Sequence, residues 1–449
     1  MSRNVLLWIG LLLVSSTAVR ADDWPQWLGP QRDGVWRETG IVDRLPAKGL
    51  TRKWRTPIGS GYAGPAVVGD HVYVTDRIIT EGADSANPFE RKPVPSSERV
   101  LCLNRETGEI NWKHTYPCVY TVSYPAGPRC TPTVSGDKVY TLGAEGNLFC
   151  LGTKDGNIAW SKDLKKEYGI RITPTWGFAS HPLIDGNKLI CLVGGEGTAV
   201  VAFDKDSGKE LWRALSATGP HGAGYGPPMI YEAAGVRQLI VWLPDAVNAL
   251  DPETGKTLWS FPFGSREGLT APTPRKSGDM LFLTSFYNGP LMIKLAGDKP
   301  GATELWRGKG QDEKKTDGLH SIMPTPFIQD GHIYGVCSYG QLRCLDASTG
   351  KRIWEDLTAT GANKARNARW ANAFLIQQAD RYFIANERGD LIIAKLTPKG
   401  YEEISRANLL KPTGNAGGRQ IVWSHPAFAH RHVFARNDEE IVCVSMAAE

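Results

Sequence analysis

The chain has 449 residues, with 52 Lys and Arg against 47 Asp and Glu, a balance too near neutral to offer nucleic acid a basic face. Its length suggests two or three domains by size alone, so any repeat must be found before domains are counted.

Arg3 precedes an apolar run from Val5 to Val14, and Val19-Arg20-Ala21 places small residues at a cleavage position. Residues 1–21 therefore read as a signal peptide, with an apolar run too short to span a membrane comfortably. No cysteine near the cut would carry a lipid, so the expected location is periplasmic or secreted, with no transmembrane segment. Without Arg3 and Arg20 the count is 52 − 2 = 50 bases against 47 acids, a charge of +3. Residues 22–49 form an N-terminal extension that opens WPQWLGPQRDG, from Trp24 to Gly34.

From residue 50 to 449 the chain repeats one phrase. Its copies are LNRETGEINW (Leu103 to Trp112), LGTKDGNIAW (Leu151 to Trp160), FDKDSGKELW (Phe203 to Trp212) and LDPETGKTLW (Leu250 to Trp259). A degraded LAGDKPGATELW (Leu295 to Trp306) and LDASTGKRIW (Leu345 to Trp354) follow. From Trp54 the tryptophans are spaced by 58, 48, 52, 47, 47 and 48 residues, and a further 50 lands on Ile404, where the tryptophan is lost. Within a period, short β-type runs such as TPTV, KVYTL, NLFCL and IAW alternate with Gly/Asp turns and show no helical periodicity. Four such strands make one antiparallel sheet, and repeated sheets must stack to bury their faces. The chain is thus expected to be all-β, an eight-bladed β-propeller of four-stranded antiparallel blades with tryptophan-docking motifs. The last 45 residues supply three strands and the Trp54 segment a lone fourth, so the N-terminal strand should join the C-terminal blade and close the ring. The periodic tryptophans Trp259 and Trp354 are expected to matter more for stability than Trp36, which lies outside the repeat.

Eight cysteines in an exported chain suggest disulfides, but Cys102, Cys150, Cys344 and Cys443 share one blade position with Ala202 and Ala249. That position asks for a small buried side chain. Cys118 and Cys130 flank a loop and remain the candidate disulfide pair.

Prolines 65, 132, 182, 274, 326 and 426 mark the starts of the innermost strands, which gather on one face around the central channel. Beside them stand Tyr62, Arg129, Trp176, His181, Tyr225, His320, Arg369, Trp370, Trp423 and His425 as candidate ligand-binding residues. Each reads equally as inter-blade packing, and His181 and His425 share their position with threonines able to bond a neighbouring blade. GAEG and GGEG place Glu145 and Glu196 at equivalent turns, either an acidic pair near the channel or solvated turn residues. The enlarged loop from Asp76 to Arg99, rich in Pro, Ser and charge, reads as a mobile flap. No catalytic residue and no metal ligand is assigned.

The phrase A/L-x-D-x-x-T-G-x-x-x-W, clearest at Asp251 to Trp259 and Asp346 to Trp354, resembles the docking motif of the pyrroloquinoline quinone (PQQ) type repeat. With WPQWLGPQRDG, GYAGPAVV, AGPRCTPTV and GGEG, the chain is similar to exported PQQ-binding-like propeller repeat proteins over essentially its whole mature length. Two branches of that superfamily imply different functions. The branch like outer-membrane assembly factor BamB implies a cofactor-free scaffold that binds partner proteins, and blade number and length favour it. The quinoprotein dehydrogenases imply PQQ and calcium, but the chain lacks their adjacent cysteines and long insertions. The expected function is an exported binding or scaffold module, engaging a protein partner or a small-molecule or carbohydrate ligand on the channel face. No cofactor is expected. The alternative is a PQQ- and calcium-dependent alcohol or sugar dehydrogenase. The lipid-attachment cysteine of the BamB branch is missing.

Overall fold

The computed structural model describes residues 22–310, 312–362 and 368–448, so the expected signal peptide lies outside the described residues. Eight four-stranded antiparallel sheets stand in a ring, with first strands in contact at several seams, such as those of the first blade with the second and the eighth. The first blade comprises Ala66–Val68, His71–Ile79, Val94–Asn104 and Ile110–Tyr120. Each later blade repeats this up-and-down order. The eighth joins Ala427–Ala429, His432–Arg436 and Glu440–Ser445 to the N-terminal strand Arg52–Pro57, through pairs such as Trp54 with Cys443. Closure therefore occurs as expected.

The repeated phrase works as a latch between neighbours. The Asp carboxylate accepts from backbone N–H groups two and three residues on, as Asp251 does from Glu253 and Thr254 at 2.7 and 3.1 Å. The Gly then takes a left-handed conformation, φ +70° at Gly156 and +73° at Gly255. The indole of the preceding blade lies on that bare Cα: a Cβ at Gly156 would come within 2.5 Å of Trp112, and one at Gly255 within 2.5 Å of Trp212. The indole N–H donates to a carbonyl of the same turn, Trp112 to Thr153 at 2.9 Å and Trp160 to Lys205 at 2.9 Å. Where the phrase is degraded, in the fifth blade, Trp259 instead donates to Gln238 Oε1 at 2.7 Å within its own blade.

Strand register explains the cysteines. Most docking tryptophans pair directly with a small residue of the third strand, Trp112 with Cys102, Trp160 with Cys150, Trp212 with Ala202 and Trp354 with Cys344, while Trp306 pairs with Met292. A β-bulge follows at once in each of these pairs. The same register corrects the seventh blade by one residue. Ser405, rather than Ile404, pairs with Ile393 at the tryptophan position, because the bulge falls on Ile404. All eight cysteines are free and buried, so the candidate Cys118–Cys130 disulfide does not form. The Cys130 thiol instead donates to the carbonyls of Phe178 and Ser180 at 3.5 and 3.3 Å.

The N-terminal extension is part of the core. Trp24 bridges to Val67 in the first blade, and Pro25 O accepts from Val134 in the second. Arg32 donates to Pro182 O and Pro228 O at the third and fourth, at 2.9 and 3.4 Å. Trp27 Nε1 donates to Thr273 Oγ1 of the fifth at 3.0 Å. Gly34 abuts Phe327 of the sixth, Val35 bridges to Gln377 of the seventh, and Trp36 packs on Phe428 of the eighth. The segment therefore crosses the channel and touches every blade. Its continuation fills the seam that lacks a docking tryptophan: Ile41 and Leu45 join the cluster containing Ile404, and Leu45 N donates to Ser405 Oγ at 2.9 Å.

Trp36 is 1% exposed and its indole donates to Glu38 at 2.6 Å, whereas Trp354 is only half-buried, which reverses the expectation that Trp36 matters less. Trp36→Ala is expected to cost about 3–5 kcal/mol in denaturant unfolding and Trp354→Ala clearly less. Deleting residues 50–58 removes the eighth blade's outer strand and should give aggregated or unfolded protein by size-exclusion chromatography. Monomeric elution with unchanged melting would contradict the closure.

Candidate functional site

One face of the ring carries a cavity of about 600 Å³. The loops that enter the innermost strands build most of its wall, as the proline positions require. Nine of the ten candidate residues line it: Tyr62, Arg129, Trp176, His181, Tyr225, Arg369, Trp370, Trp423 and His425. His320 does not. It is fully buried outside the cavity, its Nδ1 against Phe286 O at 3.1 Å and its other nitrogen closed over by Gly289. Burial pushes its pKa down to about 4.

The floor is Trp27, from the N-terminal segment. It stacks on His181 with ring centres 4.3 Å apart and meets the His425 ring edge-on at 4.3 Å. Thr131 N donates to His181 Nδ1 at 2.9 Å, and Thr131 Oγ1 is bonded to His425 Nε2 at 2.6 Å. His181 thus ties the third blade to the second, and His425 reaches from the eighth blade past Gly64 of the first to the second, both while lining the cavity. Burial lowers the pKa of both, His181 well below the usual value and His425 to about 3, so the floor is neutral.

Two aromatic walls rise from this floor. In one, Trp176 stacks on His221 at 5.6 Å and meets Tyr225 edge-on at 5.6 Å. In the other, Tyr124 lies 5.8 Å from Trp423 and 6.0 Å from Trp370, and Tyr62 lies 6.3 Å from Trp423. Trp423 is fixed by Glu387, a buried carboxylate that accepts its indole N–H at 3.1 Å and bonds Arg419 at 3.1 Å. Desolvation raises the Glu387 pKa, with Arg419 opposing. Tyr124, Glu267 and Trp370 all line the cavity with φ between +52° and +66°, a backbone region costly for side chains of this size.

The first-blade loop is an anchored arm, not a free flap. Its strands stay paired as far as Ile79 and Ser96, and Arg77 holds Asp84 at 2.8 Å. At its tip Phe89 packs edge-on against Tyr124 at 5.2 Å and reaches Trp370 at 5.9 Å, across the cavity mouth. Arg91, two residues on, donates to Thr121 O at 2.7 Å and Thr173 O at 2.5 Å.

The two acids of the equivalent turns do not form a pair. Glu196 is exposed, as a turn residue. Glu145 is 3% exposed and outside the cavity lining. It accepts from Thr121 N at 2.5 Å and Lys165 Nζ at 2.7 Å, bracing two cavity loops. Among the described residues, no cluster of three or more His, Cys, Asp or Glu is placed to hold a metal. Glu267 is the single carboxylate of the cavity lining, and calcium takes six to eight oxygens, so this lining does not fit the PQQ and calcium set.

Sequence reasoning missed Trp27, Phe89, Arg91, Tyr124, His221 and Tyr287 in the lining. Trp27 sits outside the repeat, and Phe89 and Arg91 sit in the enlarged loop, so no periodic position pointed to them. Tyr124 had one usable signal, its place in the loop that ends at Arg129.

The neutral floor predicts a pH dependence. His181 and His425 have folded pKa values below their unfolded values, so the unfolded chain takes up protons first as pH falls below about 6.5. Stability is full above that pH and is lost as pH falls toward about 3 for His425, at on the order of 1 kcal/mol per pH unit per group. Melting temperature measured from pH 7 to pH 4 should therefore fall more steeply for the natural protein than for His425→Gln.

Comparison with known proteins agrees with this architecture. Outer membrane protein assembly factor BamB of Burkholderia pseudomallei is 28% identical over 290 residues, covering 62% of this chain and 66% of the relative, just under two thirds of its length. BamB of Shewanella oneidensis is 21% identical over 69% of this chain and 75% of its own. Quinohemoprotein alcohol dehydrogenase ADH IIB of Pseudomonas putida is 30% identical, but over only 31% of this chain and 20% of its own. Among solved structures, BamB from Moraxella catarrhalis superposes with a TM-score of 0.54 at 16% identity, covering 88% of this chain and 99% of that one. Quinohemoprotein alcohol dehydrogenase from Comamonas testosteroni gives 0.59 at 14% identity, with 95% and 81% covered. At such identities the structures establish the fold alone. No helix among the described residues is long and apolar enough to cross a membrane. The model of the outer membrane protein assembly factor BamB family matches residues 96–232 and 244–449, and the chain belongs to that family.

Proposed function

We propose that this BamB-family propeller is an exported, non-catalytic binding module that engages a partner or ligand through its channel-face cavity. The observation that carries the reading is the cavity itself: about 600 Å³, open on one face, floored by Trp27 and walled by aromatics from separate blades. The two histidines of its floor and the buried carboxylates behind its walls are committed to structure, and His221 and Glu267 of the lining lie 3.7 Å from one another. His181 and His425 are bonded to Thr131, Glu387 is bonded to Trp423 and Arg419, and Glu145 is bonded to Lys165 and Thr121. Such an arrangement favours recognition over acid–base chemistry, which needs a group free to exchange a proton with substrate. Export rests on the leader pattern of residues 1–21. The names of the BamB relatives, as outer membrane protein assembly factors, favour a protein partner within the same reading.

The test is a double change, Trp176→Ala with Trp423→Ala, read two ways. Binding of the partner or ligand should be lost while melting temperature stays within a few degrees, because neither ring is part of the sealed core. A loss of several kcal/mol in stability with binding unaltered would assign these residues to packing instead. In parallel, protein incubated with PQQ and calcium should give no dye-linked alcohol or sugar oxidation. Turnover there would overturn the non-catalytic reading.

A further inference from the structure

We infer that the cavity takes a small organic anion with an apolar body, a carboxylate, sulfonate or phosphate head on a hydrocarbon or ring framework. This rests on the reading of the cavity as a binding site and adds the chemistry of its ligand.

Charge is the first argument. Arg91, Arg129 and Arg369 line the cavity against a single carboxylate, Glu267. Arg369 is paired with Glu313 at 2.7 Å. Arg91 and Arg129 are held differently. Arg91 donates to the carbonyls of Thr121 and Thr173, and Arg129 to those of Gly127, Ser123 and Tyr124, the last at 2.6 Å. Among the described residues, neither has a carboxylate within ion-pair distance. Carbonyl oxygens orient a guanidinium without cancelling its charge, so two fixed cations face a bowl whose walls exclude much of the water. A low-dielectric, cationic recess focuses its field on an incoming anion.

The body of the ligand follows from the rest of the lining. Ten of the lining residues are Phe, Tyr or Trp, and Leu269, Ile322 and Met323 add aliphatic surface. Among the described residues, no asparagine, glutamine, aspartate or lysine belongs to the lining. A lining so rich in aromatic and aliphatic surface suits an apolar framework. The cavity volume of about 600 Å³ matches a small molecule of ordinary ligand size. Phe89, exposed at the mouth yet touching Tyr124 and Trp370, supplies an apolar cover on the open side.

A pair of dyes tests this on the intact mature protein. Anilinonaphthalene sulfonate and phenylnaphthylamine share a ring framework and differ in the anionic group. Fluorescence titration should show both bound at one site per chain, with the sulfonate at least tenfold tighter at low salt. Raising the salt concentration should weaken the sulfonate alone. Arg91→Gln with Arg129→Gln should remove that tenfold preference while phenylnaphthylamine is still bound, with some loss of melting temperature because the bonds to loop carbonyls are lost. If the double variant does not fold, the salt dependence of the two dyes on the natural protein still decides. Equal affinity for both dyes without salt dependence would overturn the anion assignment while the cavity remains a binding site. If neither dye binds, or if both bind undiminished to the Trp176→Ala, Trp423→Ala protein, the cavity reading itself falls.

Discussion

An indole lying on a glycine of the next blade is the contact on which this molecule depends. Sheets of four strands twist, and a ring of them closes only if each seam holds its neighbour at a fixed angle. The repeated phrase meets this with one residue on each side. Its glycine turns the chain with positive φ and leaves no Cβ, and the preceding blade's tryptophan occupies the vacated space. The carbonyl of the same turn satisfies the indole N–H, so a large aromatic can be half-buried without stranding a donor. Because the tryptophan, where present, pairs across strands with Cys or Ala in every blade but the fifth, where Trp306 meets Met292, the latch also shapes composition one strand further in. The recurrence of Cys102, Cys150, Cys344 and Cys443 at one position is thus accounted for by seam packing.

Two seams depart from the phrase, and each is repaired from elsewhere. Trp259, facing the degraded turn of the fifth blade, turns to Gln238 in its own blade. At the seventh blade Ser405 replaces the aromatic, and Leu45 and Ile41 of the N-terminal segment fill the space. The same segment seals the channel through Trp24, Trp27, Arg32 and Trp36, which makes the cavity a bowl and not a tunnel. Arg32 and Arg275 are buried guanidiniums held by carbonyl oxygens, Arg32 by Pro182 O and Arg275 by Pro326 O. Desolvation lowers the pKa of both, Arg32 to about 10. They tie the exposed carbonyls of the inner strands, which no neighbouring strand can pair.

The sequence disclosed what repeats and concealed what does not. Blade count, strand order, closure by Trp54 and the face on which loops converge followed from a period and from prolines at strand starts. Six of the nine lining residues were legible for the same reason, since each stands one to six residues ahead of such a proline, while Tyr225, Arg369 and Trp370 came from the less regular copies. His320 stands six residues ahead of Pro326, as Trp176 does ahead of Pro182, yet it is buried beneath Gly289 and out of the cavity. Trp27, Phe89 and Arg91 were illegible because they enter from segments without repeat equivalents. Glu145 and Glu196 are alike in sequence, yet one is buried beside Lys165 and the other exposed. Equivalent turns do not guarantee equivalent surroundings once the neighbouring loops differ.

The segment that plugs the channel is made before any blade, yet its partners include Phe428, Gln377 and Pro228, and the strand beside it pairs with residues 440–444. Docking it therefore requires a chain almost complete in length. Contacts separated by nearly 400 residues carry a large loop-closure entropy and form late, after local hairpins and neighbouring blades. Until then the cavity has no floor, the eighth blade has an open edge, and the ring is a spiral that can still spread. The cavity floor and edge protection arrive in a single final step, so the window for misassembly closes when the ring does.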